Sequence, residues 1–525
     1  MQAIQNAEKS PEVDERAPDL EKASSCQDGT TTTVGSGVDD AGFRRQLGKR
    51  QIMMMTFGAG IGTGLWVGTG TALKYAGPGG IAVAYTIVAF IVYLQYTSVG
   101  EMSTYRPVHG GFIRQQKEYV DSAFAFATGV NFWFQWVMII PAEITAAVSV
   151  LQFWPETSVV PLAAYITMFL AVMVVGNVFS VRVYGHIEYW MSWIKILAIF
   201  AMIFFLFIMA SGGIAATHGP LVFHYWKTPG AFTNGIKGIA KAFVQAGFSF
   251  GGGEHIAIIA GEAKKPRKTI KATVYPVFWR MFAFFVLNIW LRAKQGWLAH
   301  VLNAFIFLTV ISCGITSVYI ASRSLTAMSD IKLIHPIFGR KDKAGRPWLS
   351  LGISTLIGGG LCYLNTNSTT SDVYSWFSSL VAIAAFFQWF SIFVCHCFFR
   401  EAQNISYKSL PFKAPLAPWL PMVGIIVVFF ILGCEFYLSV SPFGEKGSAK
   451  TFFATYLGAP LFVFDFVAYK LWYKTKFVKP SDVDFSEAFA FDEQDRLEAE
   501  LAAQNGDVHE KGWNVWQKVK NLVFG

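Results

Sequence analysis

Residues 58–64 read Gly-Ala-Gly-Ile-Gly-Thr-Gly, inside the apolar run QIMMMTFGAGIGTGLWVGTGTAL (51–73). Glycine in a helix interior costs about 1 kcal/mol relative to alanine, so four at alternate positions need a reason. Three readings compete. A dinucleotide loop needs glycines at its first, third and sixth positions after a strand, and no start within 58–64 gives that spacing. A close helix–helix contact of the small-xxx-small type fits Gly58/Gly62 and Gly60/Gly64. Residues two apart point ~200° away from each other on a helix, however, so these glycines strip two opposite faces. The third reading is a helix interrupted in mid-membrane, whose freed amides and carbonyls line a substrate cavity. That reading requires a second interruption in the matching span of a second half, and Phe248-Ser-Phe-Gly-Gly-Gly-Glu254 supplies one.

The rest of the chain has the composition of a membrane protein. Of 525 residues 53% are hydrophobic and only 15% charged, and apolar runs near twenty residues recur throughout. Twelve spans can be drawn. Spans 1–6 are Met53–Leu73, Ile81–Gly100, Phe124–Trp154, Val159–Val178, Ile187–Ile208 and Gly238–Ile259. Spans 7–12 are Val274–Leu291, Trp297–Ile320, Leu349–Leu364, Tyr374–Phe398, Met422–Val440 and Phe452–Leu471. Basic residues fill alternate connections: Arg44, Arg45, Lys49 and Arg50, then Arg106, Arg114 and Lys117, then Lys264 to Lys271, then Arg323 to Arg346. This asymmetry places both termini in the cytoplasm and accounts for the net charge of +9 without nucleic acid. Residues 1–43 lack the short apolar core of a secretory signal; they read as a cytoplasmic tail, largely disordered. The transmembrane domain is expected over 44–475, and 476–525 as a cytoplasmic C-terminal tail. Within that tail GWNVWQKVKNLVF (512–524) suits either a membrane-surface helix or one packed on the protein's own inner face.

Spans 1 and 6 are each first in a set of five, and an odd-numbered set enters the membrane from opposite sides in its two copies. An inverted 5+5 repeat follows, over about 51–210 and 238–398, with two extra helices in 416–471. The N-terminus of a half-helix carries roughly +0.5 of a charge and unpaired N–H groups, which suit a carboxylate. Carbonyls ending the preceding half suit an ammonium. A site with both is shaped for the zwitterionic head of an amino acid.

Several stretches resemble the fungal (yeast-type) amino-acid permeases of the amino acid–polyamine–organocation superfamily. They are KRQIMMMTFGAGIGTGLWVGTG, GEMSTYRPVHGGF, NFWFQWVMIIPAEITAA, YGHIEYWMSWIKILAI and, most specifically, FSFGGGEHIAIIAGEAKKPRKTI. The similarity runs from about residue 43 to 480, excluding 291–297. It implies an all-α, LeuT-type fold of about 12 helices and proton-coupled uptake of amino acids at the plasma membrane, with no cofactor or metal. By resemblance Ile61, Gly62, Thr63 and Gly64 hold the substrate carboxylate. Phe248, Ser249, Phe250 and the neighbouring Gly251 form the other half of the site, with carbonyls offered to the α-amino group and Phe250 able to cover it. Gly253 stands where relatives often have Thr, and Ile315 where many have Asn; both bear on side-chain selectivity.

Charges inside a bilayer cost at least ~2.5 kcal/mol at its centre and usually serve a purpose. Lys195 lies about eight residues into span 5, ~12 Å deep by helix rise. Snorkelling is one reading. The other comes from the resemblance, in which a lysine here takes the place of a sodium ion and carries the coupled proton. Glu143, beside Pro141 in span 3, reads as a substrate or proton ligand, or as a carboxylate bonded to a neighbouring helix. Glu254, after the span 6 break, reads as a coupling residue or as a structural bond to the unwound segment. Glu101 and Glu188 read as gate or loop-anchoring charges near the cytoplasmic face, Glu435 and Asp465 as packing residues. Cys395-His396-Cys397 has metal-like spacing without a second cluster to complete it.

No intramembrane nucleophile–base cluster suggests an enzyme. The expected partners are amino acids, protons and the lipid bilayer, with trafficking and ubiquitination machinery acting on the tails. A non-transporting amino-acid sensor is the alternative of another class. One feature disturbs the transporter reading. Span 7 is abnormally short, because Arg280 leaves only Met281–Leu291 free of charge, and the external link LRAKQGW (291–297) carries Arg292 and Lys294. Either the hairpin is compact, or a segment is missing and transport is impaired. Asn367 heads a sequon on the external side, too near the membrane for an expected glycan.

Overall fold

The structure is a computed structural model. It describes residues 49–504 except 109, 155, 157–158, 180, 212–225, 260–265, 291–295, 343–344, 367–369, 404–409 and 445. The N-terminal tail, the sequon, the 512–524 helix and the link 291–295 therefore lie outside the described residues.

Helices and short turns are the regular structure among the described residues, with no strand. Each of the twelve spans overlaps a described helix, but they are not alike. Six described helices are long and apolar enough to cross a membrane by themselves, or seven counting the pair Ala449–Tyr456 and Gly458–Tyr473, bent by 69° in span 12. The others fail that test for separate reasons. Spans 1 and 6 are broken. Spans 4 and 9, Leu162–Val178 and Trp348–Cys362, have 17 and 15 residues. Span 7 runs Pro266–Trp290, 25 residues, because its helix begins in the basic loop ahead of the apolar part.

Span 1 comprises Lys49–Ala59, an irregular stretch at 60–63, and a π-helical turn Gly64–Gly68 that runs into Thr69–Tyr105. The last of these kinks at Gly77, whose φ of +73° is open to glycine, just before Pro78, and continues as span 2. Span 6 comprises Gly235–Phe250, a bend at Gly251 and Gly252, and then Gly253–His255 and Ile256–Ile259. Gly252 has φ +108°. Both breaks thus fall on the glycines.

Around them stand span 3 (Ser122–Leu151), span 5 (Val181–Ala210), span 8 (Gly296–Asp330) and span 10 (Thr370–Gln403). A further helix, Ser486–Gln504, lies in the C-terminal tail. Arg106 bonds both Glu118 and Glu487, and Arg114 bonds the same two carboxylates. Buried Arg267 reaches Asp492 and Asp495 at 2.7 and 2.8 Å, and the carbonyls of Thr104 and Tyr105. Residues 486–504 of the tail thus pack as a helix against the loops that carry these basic residues.

Candidate functional site

The glycines of span 1 explain its surroundings one by one. A Cβ on Gly58 would stand 2.2 Å from Ser192 Oγ and 2.5 Å from Glu188 Oε1, both on span 5. On Gly62 it would meet Glu143 Oε1 of span 3 at 2.7 Å and Cys313 Sγ of span 8 at 2.8 Å. On Gly64 it would meet the Cα of Ser249 in span 6 at 2.5 Å. The break and the packing reading are therefore both true. The bared faces admit three different sets of neighbours, which one helix contact would not need.

At the break the half-helix amides already have a partner. Thr63 donates to Glu143 Oε1 from its hydroxyl at 3.0 Å and from its backbone N–H at 3.4 Å. Glu143 is buried, and the Cys313 thiol lies against it. Ile61 bends back so that its N–H reaches the Gly58 carbonyl at 3.3 Å. That carbonyl also accepts from Lys195 Nζ at 2.8 Å. Lys195 is 1% exposed, so snorkelling is set aside. Its second neighbour is Glu188 Oε1 at 3.5 Å, and Glu188 Oε2 accepts from Ser312 at 2.9 Å. Glu188 is thus a buried partner of Lys195, not a loop anchor. The two stand seven residues apart, two turns along one helix face, a spacing that could have been noticed.

In span 6, Phe248, Ser249 and Phe250 are the last helical residues. Ser249 Oγ donates to the Gly64 carbonyl at 2.8 Å and lies 3.1 Å from Tyr85 Oη, so one hydroxyl joins both broken helices to span 2. Phe250 packs on Tyr85 with centroids 6.0 Å apart, and Phe248 meets Tyr374 edge-on at 5.9 Å. Beyond the bend the Gly252 N–H donates to Glu254 Oε2 at 3.2 Å, and Gln135 Nε2 to Oε1 at 3.2 Å. Those are the bonds of the structural reading of Glu254: it ties the unwound segment to itself and to span 3.

The two departures also have places. A Cβ on Gly253 would meet Tyr96 Oη at 2.2 Å, so Tyr96 fills the room a threonine would need. Ile315 turns its side chain toward Gly176 of span 4, and its carbonyl accepts from Asn177. Glu101 does anchor a loop: it accepts from Arg400 and from the Ala414 N–H, with His396 at 3.2 Å.

Comparison with known proteins gives the same direction. A family model described as amino acid permease matches residues 51–293 and 292–481, in two segments that meet in the span 7–8 link. The amino-acid permease GAP3 of Candida albicans is 31% identical over 514 residues, covering 90% of this chain and 85% of that protein. The general amino-acid permease GAP1 of Saccharomyces cerevisiae is 28% identical over 520 residues, covering 90% and 86%. The probable amino-acid permease meu22 of Schizosaccharomyces pombe is 29% identical over 494 residues, covering 88% and 86%.

Proposed function

The chain belongs to the amino acid permease family, and from that premise we propose that it is a proton-coupled symporter bringing amino acids into the cell across the plasma membrane. The observation that carries the reading is the Thr63–Glu143 contact. A substrate carboxylate seeks the amides at the start of the second half of span 1, and Glu143 now holds the first of them. Two carboxylates competing for one amide repel each other. A proton on Glu143 removes that repulsion and weakens its bond to Thr63, since hydrogen bonds to an ionised group are roughly twice as strong as neutral ones. Substrate and proton then enter together. The carbonyls ending the helix Gly235–Phe250 take the ammonium. Lys195, balanced by Glu188, holds the Gly58 carbonyl and is placed to respond when the first half of span 1 moves. Alternating access then amounts to exposing this one site to each side in turn.

Uptake by the full chain in proteoliposomes under an imposed pH gradient tests this. Wild type accumulates labelled amino acids only when the outside is acid. Glu143→Gln exchanges substrate across the membrane but no longer accumulates it with the gradient. Accumulation by Glu143→Gln would move the coupling elsewhere. Binding without uptake by wild type would favour the sensor. A second reading has its own support: the family match divides within the short span 7–8 link. A chain missing part of that hairpin would bind but transport poorly. Sequencing the transcript across codons 285–300 decides whether a segment is missing, and robust uptake by this form excludes impairment.

A further inference from the structure

Above the break, at the end of span 1 away from the tail helix, lies a cavity of about 320 Å³ between the ends of spans 1, 6, 10, 11 and 12. Its wall holds Lys74, Lys241, Asp372 and Glu435. Glu435 is 3% exposed, and neither of its carboxylate oxygens has a hydrogen-bond partner among the described residues. A buried carboxylate without such bonds is strongly disfavoured, so packing is a poor account of this glutamate. Among the described residues Lys241 is the cation near enough to act on it. Lys241 itself makes a long bond, 3.4 Å, to Ser375 Oγ.

The cavity also has a way down. Gln245 lines it, is 1% exposed, and its Oε1 has no hydrogen-bond partner among the described residues. Lys241, Gln245 and Ser249 follow one another at four-residue steps along one face of span 6, each step ~6 Å of helix rise. The last of them bonds Gly64 at the break. A column of polar groups thus leads from the cavity to the central site over ~12 Å.

We propose that this cavity is a staging site for a free α-amino acid, its ammonium on Glu435 and its carboxylate on Lys241, before it descends past Gln245 to the break. A simple amine would leave the lysine unmatched, and a simple acid the glutamate. A zwitterion answers both, and the volume is within the range of small-molecule pockets. The inference rests on the amino-acid reading of the central site, but its two charged ligands, Glu435 and Lys241, are not residues of that site.

Equilibrium binding of a mixture of labelled L-amino acids to the full-length protein in nanodiscs tests it. Wild type should bind two molecules per chain. Gly62→Val, which fills the break, should retain one, and adding Glu435→Gln should remove it. In uptake, Glu435→Gln should raise KM about fivefold with the maximal rate unchanged, the mark of lost binding without lost chemistry. Lys241→Gln should do the same, so a folding defect in one variant does not decide the matter. A single molecule per wild-type chain, or no binding by Gly62→Val, overturns the staging site and leaves the central one standing. No binding and no uptake by wild type overturns both.

Discussion

A methyl group at position 64 would point at backbone, not at a side chain that can swing away. The Ser249 Cα stands 2.5 Å from where it would be, so Gly64→Ala has to part the two broken helices. Uptake should fall to background while the protein still reaches the membrane and elutes as a single species. Ser249→Ala is a milder test of the same junction. It leaves the Gly64 carbonyl and the Tyr85 hydroxyl without their shared partner, which should cost about 1–3 kcal/mol. A fall in Tm with partial uptake is expected, and an unchanged Tm would show that the hydroxyl bridge does not hold the helices. The sequence announced these positions because glycine at alternate sites has few other uses. It did not announce Tyr96, whose ring fills the space beside Gly253, since nothing at residue 96 records what stands opposite 157 residues later.

Span 5 is strapped to the first half of span 1 at two levels, Ser192 to the Met54 carbonyl and Lys195 to that of Gly58, at 2.9 and 2.8 Å. The strap makes the lysine's charge a property of both helices. Glu188→Gln removes its counter-ion while keeping the amide's shape. The proton dependence of uptake should then shift in pH, whereas Lys195→Ala should abolish it and leave exchange. Identical pH profiles in wild type and Glu188→Gln would show that the carboxylate plays no part in coupling. At this scale the broken spans and the buried lysine were legible, because a charge deep in an apolar run and glycines in its partner stand out locally. Cys313 and Ser312 were not, since they are ordinary small residues in span 8 until folding brings them against Glu143 and Glu188.

Across the whole molecule the tail helix links loops that the spans hold apart. Burial tends to raise the Glu487 carboxyl, but Arg106 and Arg114 outweigh it and hold it below its ordinary value. A lowered carboxyl stabilises the contact above its ordinary value and loses it as the pH falls through the depressed one. A nitroxide at Arg496→Cys, an exposed position, should therefore be ordered near neutral pH and mobile only in strong acid. Adding Arg267→Ala should free it at neutral pH already. Equal mobility with and without Arg267 would show that the two aspartates do not hold the helix. None of this was legible, because a run such as FDEQDRLEAE looks like any solvated helix until its partners, 225 to 381 positions away, are in place. Those same separations set an order of assembly. At about 5–20 residues per second of synthesis, Arg106 waits roughly 20–80 s for Glu487. Its loop therefore goes without that partner while spans 3 to 12 are made, and Glu118, 12 positions away, is the carboxylate within its reach in that interval.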